Sequence, residues 1–254
     1  MKVRLLGCGT SSGVPRIGND WGACDPGEPR NRRRRVSIMV EEGDARVLVD
    51  TSPDLREQLL DAGVSAIDAV IWTHDHADHC HGIDDLRQIF HATRRPVPGY
   101  ARPETLATLR QRFDYVFDGR EGYPPTVEPH LVGDSLRVGG LTIGTIDQPH
   151  GAITSLGLRF EANGKSIGYS TDFNDLTPNM IKLFEGLDLW IVDALRARPH
   201  PTHPHLEQVL GWIAQLRVGH AVLTHMDHSM DYRALRAILP SNVEPGFDGL
   251  EVVL

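Results

Sequence analysis

The sequence predicts a single α/β domain spanning 1–254, and three observations carry that reading. Apolar runs of strand length recur at 2–6, 36–40, 46–49, 68–73, 141–146, 166–171, 189–192 and 221–224. Helical patterns with caps and apolar stripes lie between several of them, which is the alternation of an α/β fold. No linker-like or low-complexity stretch divides the 254 residues, and that length is ample for one sizeable core.

Residues 2–6 read as a first strand, followed by the glycine-rich stretch Gly7-Cys8-Gly9-Thr10-Ser11-Ser12-Gly13-Val14-Pro15. Such a stretch either brings backbone N–H groups close to a phosphate or makes a tight turn beside a site; it does not match the P-loop pattern. Residues 16–35 are irregular, and Arg32-Arg33-Arg34-Arg35 is expected to be a solvated run entering the next strand, with phosphate contact as the lesser alternative. The runs at 36–40 and 46–49 form a hairpin around Glu42-Gly43-Asp44. A helix then starts with Ser52 as N-cap and Pro53 at its first position. It shows Leu55, Leu59 and Leu60 on one face and stops at Gly63.

Beyond the strand at 68–73, helices are expected at about 84–94 and 103–113. Residues 114–135, rich in Pro, Gly and Tyr, are expected to be an excursion over the surface. In the second half, Thr177 caps a helix with Pro178 at its start and Gly186 after it. Leu206, Val209, Leu210, Ile213 and Leu216 make the apolar stripe of another.

The stretch His74-Asp75-His76-Ala77-Asp78-His79 places four metal-ligand side chains within six residues. It follows the apolar strand at 68–73. His74 and His76 are two apart, so on an extended segment they point the same way and can grip one cation. Asp78 and His79 come after the chain has begun to turn and can reach a second. Four later runs end in the same manner: His150 follows 141–146, Asp172 follows 166–171, Asp193 follows 189–192 with His200, His203 and His205 beyond it, and His225 follows 221–224. Strands that present such side chains at one sheet edge are a common way to build an active site.

Grouping these residues gives two seats. His74, His76 and His150 would hold one metal, and Asp78, His79 and His225 the other. Asp172 would bridge them with its two oxygens. Imidazole and carboxylate suit zinc or manganese, so two divalent ions per chain, Zn²⁺ or Mn²⁺, are expected. Two such ions can share a hydroxide that acts as nucleophile in a displacement, with no need of a serine or cysteine. Asp50 either orients a ligand histidine or caps the helix after it. Cys80 is expected to pack beneath the site. His81, His91, His130 and His220 are expected at the surface or in packing roles.

The bulk numbers narrow the partners. A net charge of −8 provides no general field for nucleic acid or anionic membrane, so neither a stable nucleic-acid complex nor a membrane association is expected. No apolar stretch is long enough to span a bilayer. Cys8, Cys24 and Cys80 make no disulfide framework, and the N-terminus lacks the apolar core of a signal peptide. A cytoplasmic protein is therefore expected. A free nucleotide ligand and a homodimer are both compatible with the composition.

The pattern His74-x-His76-x-Asp78-His79, with His150, Asp172 and His225 further along, resembles the signature of the metallo-β-lactamase superfamily, and the resemblance covers nearly the whole chain. It implies an αββα sandwich: two mixed sheets face each other, with helices outside and metals at one edge. Within the superfamily the chain looks like the phosphodiesterase branch and is most similar to the phosphoribosyl cyclic phosphate phosphodiesterases. The matching pieces are Gly9-Thr10-Ser11-Ser12-Gly13-Val14-Pro15, Leu223-Thr224-His225-Met226-Asp227-His228 and Pro245-Gly246-Phe247-Asp248-Gly249-Leu250-Glu251. His203, standing before Leu206-Glu207-Gln208-Val209, matches the histidine that assists phosphoryl transfer in that branch.

The resemblance implies a dinuclear phosphodiesterase that hydrolyses a small phosphate diester, such as a cyclic ribose or nucleotide phosphate, by metal-hydroxide attack. His203 and Asp78 are the catalytic candidates, His203 stabilising charge on the phosphate or protonating the leaving oxygen. The alternatives are an RNA-processing nuclease like ribonuclease Z and a thioester or lactone hydrolase on the same site. One departure stands out. The branch's best-known members bind a structural zinc through three cysteines after the Gly-Val-Pro turn and a later histidine. Here that loop holds Cys24 alone, with Asp20 and Asp25 nearby, and only His228 matches the later histidine. Four good zinc ligands are not available by that pattern.

Overall fold

The computed structural model describes residues 1–254 and resolves them into two seven-stranded sheets flanked by helices. The first sheet takes β1 (Lys2–Gly7), β2 (Ser37–Glu42), β3 (Ala45–Val49), β4 (Ala69–Ile71), β5 (Val97–Ala101) and β6 (Val127–Leu131). The second takes β7 (Ser135–Val138), β8 (Leu141–His150), β9 (Ile153–Ala162), β10 (Lys165–Ser170), β11 (Leu189–Asp193), β12 (His220–Thr224) and β13 (Val243–Pro245). β14 (Glu251–Val253) returns to the first sheet beside β1, giving the orders β14-β1-β2-β3-β4-β5-β6 and β13-β12-β11-β10-β9-β8-β7. Both sheets are mixed. Pairing is antiparallel through β1–β3 and parallel through β3–β6. It is antiparallel through β7–β10 and parallel through β10–β13. The helices are α1 (Leu55–Ala62), α2 (Ala77–Cys80), α3 (Leu86–Thr93), α4 (Pro103–Arg112), α5 (Asp114–Asp118), α6 (Pro178–Phe184), α7 (Leu206–Gln215) and α8 (Tyr232–Ile238).

The period-2 geometry of strands explains the layering. On β3, Val47 and Val49 join the large core cluster that runs through the second sheet. Leu48 between them joins the smaller cluster with Leu55 and Leu59 of α1, Leu86 and Ile89 of α3 and Leu109 of α4. A strand covered on both faces needs an unbroken apolar run, which is why 69–72 and 189–192 show no polar alternation. Full burial of each such Val, Leu or Ile contributes about 1.5–3 kcal/mol. The second sheet is covered by Met180 and Phe184 of α6, Val209 and Ile213 of α7 and Leu235 of α8.

Three expectations from the sequence need correction. Ser52 does not cap α1, which begins at Leu55; the Ser52 hydroxyl donates to Oε1 of Gln58 and accepts the Asp54 N–H, making a turn ahead of the helix. Gly63 does end it, at φ +65°. Residues 114–135 are not an excursion: they form α5, β6 and the start of β7, with Val116, Phe117 and Val127 buried. Most of the Pro and Gly signals mark the loop between α5 and β6, Gly133 falls in the turn from β6 to β7, and Pro129 is tolerated because β6 is an edge strand. The arginine run is not uniformly solvated. Arg33 is 2% exposed, donating to Met230 O at 2.6 Å and Asp227 O at 3.3 Å. Successive residues of an extended chain face opposite ways, so Arg33 turns inward between Arg32 and Arg34.

Candidate metal centre

The ends of five strands from both sheets meet at one rim. β3 leads into Asp50, β4 into Thr73 and His74, β10 into Asp172 and β12 into His225, while β8 ends on His150 itself. A hydrogen bond from Leu156 N–H to Thr73 O (2.9 Å) ties the two sheets together there. Three of these residues hold the left-handed backbone region: Asp50 at φ +63°, Asp172 at +54° and His225 at +55°. Such strain costs on the order of 1 kcal/mol or more per residue and persists where the surroundings over-determine a site.

Asp172 lies at the centre, 2% exposed. Its Oδ1 faces Nε2 of His150 (3.6 Å), of His203 (3.8 Å) and of His74 (3.9 Å). Its Oδ2 faces Nε2 of His79 (3.1 Å) and of His225 (3.5 Å). Asp78 Oδ2 approaches the same two nitrogens at 3.4 and 3.6 Å. The ligand-type atoms of His74, His76, His150 and Asp172 lie within 4.8 Å of one another, and so do those of Asp78, His79 and His225. The structure thus brings together all seven residues singled out in the sequence as ligands, in the two groups expected. Asp172, His203 and His225 form a third such group.

Three of the rings are aimed by their other nitrogen. His79 Nδ1 sits 2.7 Å from Asp50 Oδ2, His74 Nδ1 3.0 Å from Thr73 Oγ1, and His150 Nδ1 3.0 Å from Thr202 O. Asp50 also accepts the Thr73 N–H and hydroxyl. Its role is orienting a histidine rather than capping α1. Of the three histidines beyond β11, His203 enters the site: its Nδ1 lies 2.8 Å from Asp193 Oδ2, which also accepts the Asp172 N–H. His205 instead caps α7 by accepting the Gln208 N–H, and His200 accepts the Thr202 N–H. Cys80 is buried under the cluster, and burial raises its thiol to about 11, so it remains a thiol. In the glycine-rich loop Ser11 reaches the site pocket, and Gly7 is needed for close approach: a Cβ there would meet Arg35 O at 2.1 Å.

The electrostatics describe a site waiting for positive charge. Burial pushes the Asp172 carboxyl up, but the His225 and His79 charges outweigh it and hold it well below the usual range. Burial lowers His225, yet Asp172 and Asp193 bring it up to about 9. His79 is likewise raised, by Asp172, Asp78 and Asp50 against its burial. His74 is held down by burial and by the His79 charge. Nε2 of His74, His79 and His225 are all buried without a hydrogen-bond partner. Such orphaned groups cost about 1–3 kcal/mol each. Nitrogens left bare around a shared carboxylate fit a seat for divalent cations, by donor type as well as by convergence.

Comparison with known proteins agrees with this geometry. A family model described as a beta-lactamase superfamily domain matches residues 45–226. The chain is similar to a solved structure described as a new diphosphatase from the PhnP family, with a TM-score of 0.90 and 35% identity over 99% of this chain and 96% of that one. It is 33% identical to an octanoyltransferase of Porphyromonas gingivalis, over 100% of this chain and 52% of the relative. It is 29% identical to a ribonuclease Z of Bradyrhizobium sp., over 52% of this chain and 46% of the relative. The chain therefore spans about half the length of these two curated relatives. No helix is long and apolar enough to cross a membrane.

Proposed function

Because this chain belongs to the metallo-β-lactamase superfamily, in its phosphodiesterase branch, we propose that it hydrolyses a small phosphate diester with two divalent cations, zinc or manganese. His74, His76 and His150 would hold one cation, Asp78, His79 and His225 the other, with Asp172 shared. The observation that carries this reading is the division of Asp172, one oxygen towards His74 and His150 and the other towards His79 and His225. Divalent cations bound there would supply Lewis acidity, offsetting phosphate charge and acidifying water towards neutral pH.

The chain's own groups supply the rest. Asp193 engages Nδ1 of His203, so Nε2 is the ring atom offered to the pocket. From there His203 steadies negative charge on the phosphate or gives a proton to the leaving oxygen. Asp50, Thr73 and Thr202 hold the ligand rings in one orientation. The pocket encloses about 330 Å³ and shares Gly151, Ala152 and Ile153 with a polar cavity of about 660 Å³. That space suits a phosphate with a compact substituent on each side. The similarity to a diphosphatase supports phosphorus chemistry over ester or lactone chemistry, and it adds small diphosphates to the candidate substrates. The net charge of −8 weighs against an RNA substrate.

The test is turnover by protein of measured metal content against ribose cyclic phosphates, linear diesters, small diphosphates, thioesters and lactones. Phosphate substrates should be cleaved and the carbonyl substrates spared. Preferential thioester or lactone cleavage would sink the proposal.

A further inference from the structure

A second cavity, of about 380 Å³, opens between the segment around Arg30–Arg34, helix α1 and the turn Phe247-Asp248-Gly249. It shares no lining residue with the metal-centre pocket. Arg4, Arg30, Arg32 and Arg34 all line it, in a chain whose net charge is −8. From this convergence we propose a second binding site, for the phosphate group of a small phosphorylated molecule.

The four arginines divide into two pairs. Arg4 bonds Glu251 at 2.9 Å and Arg34 bonds Asp61 at 2.6 Å, so these two are neutralised within the chain. Arg30 and Arg32 are held by aromatic faces instead. The Arg30 guanidinium lies 4.8 Å from the ring centre of Tyr232 and 5.3 Å from that of Phe247; Arg32 lies 5.3 Å from that of Trp21. An aromatic face fixes the plane of a guanidinium without consuming its N–H donors. Two oriented forks with uncommitted donors suit the bidentate geometry of a phosphate dianion. The wall between them is also fixed. Asp248 Oδ2 accepts the Arg34 N–H at 2.8 Å and its Oδ1 accepts the Cys8 N–H at 3.2 Å, so this carboxylate is engaged by backbone.

The occupant is small rather than a polymer. The site is a cavity in which two of the four arginines are already paired, so its free donors match one phosphate group rather than the repeated charges of a polyanion. The site needs no cation at the metal centre, so it stands or falls independently of the proposed hydrolysis.

The test is calorimetric titration of metal-loaded protein with inorganic phosphate, diphosphate and AMP. It compares the wild type with Arg30→Gln/Arg32→Gln, with Arg95→Gln as a charge control and with His74→Ala/His150→Ala. Wild type and Arg95→Gln should bind at least one probe in a step that the Arg30/Arg32 variant weakens about tenfold or more. Turnover of bis(p-nitrophenyl) phosphate by that variant should stay within about twofold of wild type, as expected for exposed residues outside the reaction. The step should persist in His74→Ala/His150→Ala even though hydrolysis is lost. Phosphate binding as well as AMP would identify the free ion as the ligand, and tighter AMP binding an organic ester. The proposal is overturned if no probe binds, if the Arg30/Arg32 variant binds like wild type, if the step disappears with the histidines, or if turnover falls together with binding.

Discussion

Asp50 Oδ2 lies 2.7 Å from Nδ1 of His79, and neither side chain is exposed. The contact sets which nitrogen His79 turns towards Asp172. Asp50 is itself fixed by the Thr73 N–H and hydroxyl, so the next strand end holds the orienting residue. Asp50→Asn keeps the shape and removes the charge. It should weaken metal affinity about 10–100-fold while leaving the ligand set intact, as read by competition with a chelator of known affinity. Unchanged affinity would mean that His79 is held by packing alone.

His203 and Asp193 make a second pair of this kind, at 2.8 Å, but with a different expected consequence. His203 is near enough to Asp172 and His225 to be counted as a ligand-type group, so geometry alone admits two roles. A proton donor predicts that His203→Ala lowers kcat by about 10²–10⁴-fold with metal content unchanged. Asp193→Asn should lower kcat less and alter the pH profile, because Nε2 loses its fixed presentation. Elemental analysis beside kinetics decides: metal lost in proportion to activity makes His203 a ligand.

Acid should compete with the metals. In the cation-free site His225 titrates at about 9 and His79 is also raised. Below those values both rings carry protons that a cation must displace. The sign is that affinity falls as pH drops, by up to about tenfold per pH unit for each proton released. Chelator competition at pH 6 and pH 8 measures it, and equal affinities at the two values would contradict the geometry around Asp172.

The site was far more legible in the sequence than the full set of strands. His74, His76, Asp78 and His79 are close in sequence because a strand end and the turn after it supply side chains to both ligand-type groups. His150, Asp172 and His225 were readable because each follows a long apolar run. The sequence does not show β9 because Thr154, Ser155 and Gly157 break up the apolar pattern of its first half, although Leu156, Leu158 and Phe160 are buried. β13 and β14 are three residues each, too short for any periodicity to register, and depend on their neighbours' free edges. The two roles open to Asp50 were separable only by tertiary contact, since a residue before Thr51-Ser52-Pro53 looks like a cap in either case. Arg33 was misread because a run of like charge hides the alternation of an extended chain.

That burial makes Arg33 the residue whose loss should be felt in stability rather than in catalysis. Its guanidinium donates to the carbonyls of Met230 and Asp227 and to Oδ1 of Asn31, and lies 3.9 Å from the Cys24 sulfur. It therefore fastens the irregular segment before β2 to the loop that precedes α8. Arg33→Met keeps much of the volume but strips the donors, leaving the buried Met230 carbonyl without one, while Asp227 O keeps the Met230 N–H. An unsatisfied buried acceptor costs about 1–3 kcal/mol, so a loss of that size is expected, as a lower urea midpoint with unchanged slope. Arg32→Met, on the exposed side of the same strand entry, loses only its contact with Trp21 and should cost under about 1 kcal/mol. If the two variants unfold at the same midpoint, Arg33 is not the fastening that its hydrogen bonds describe.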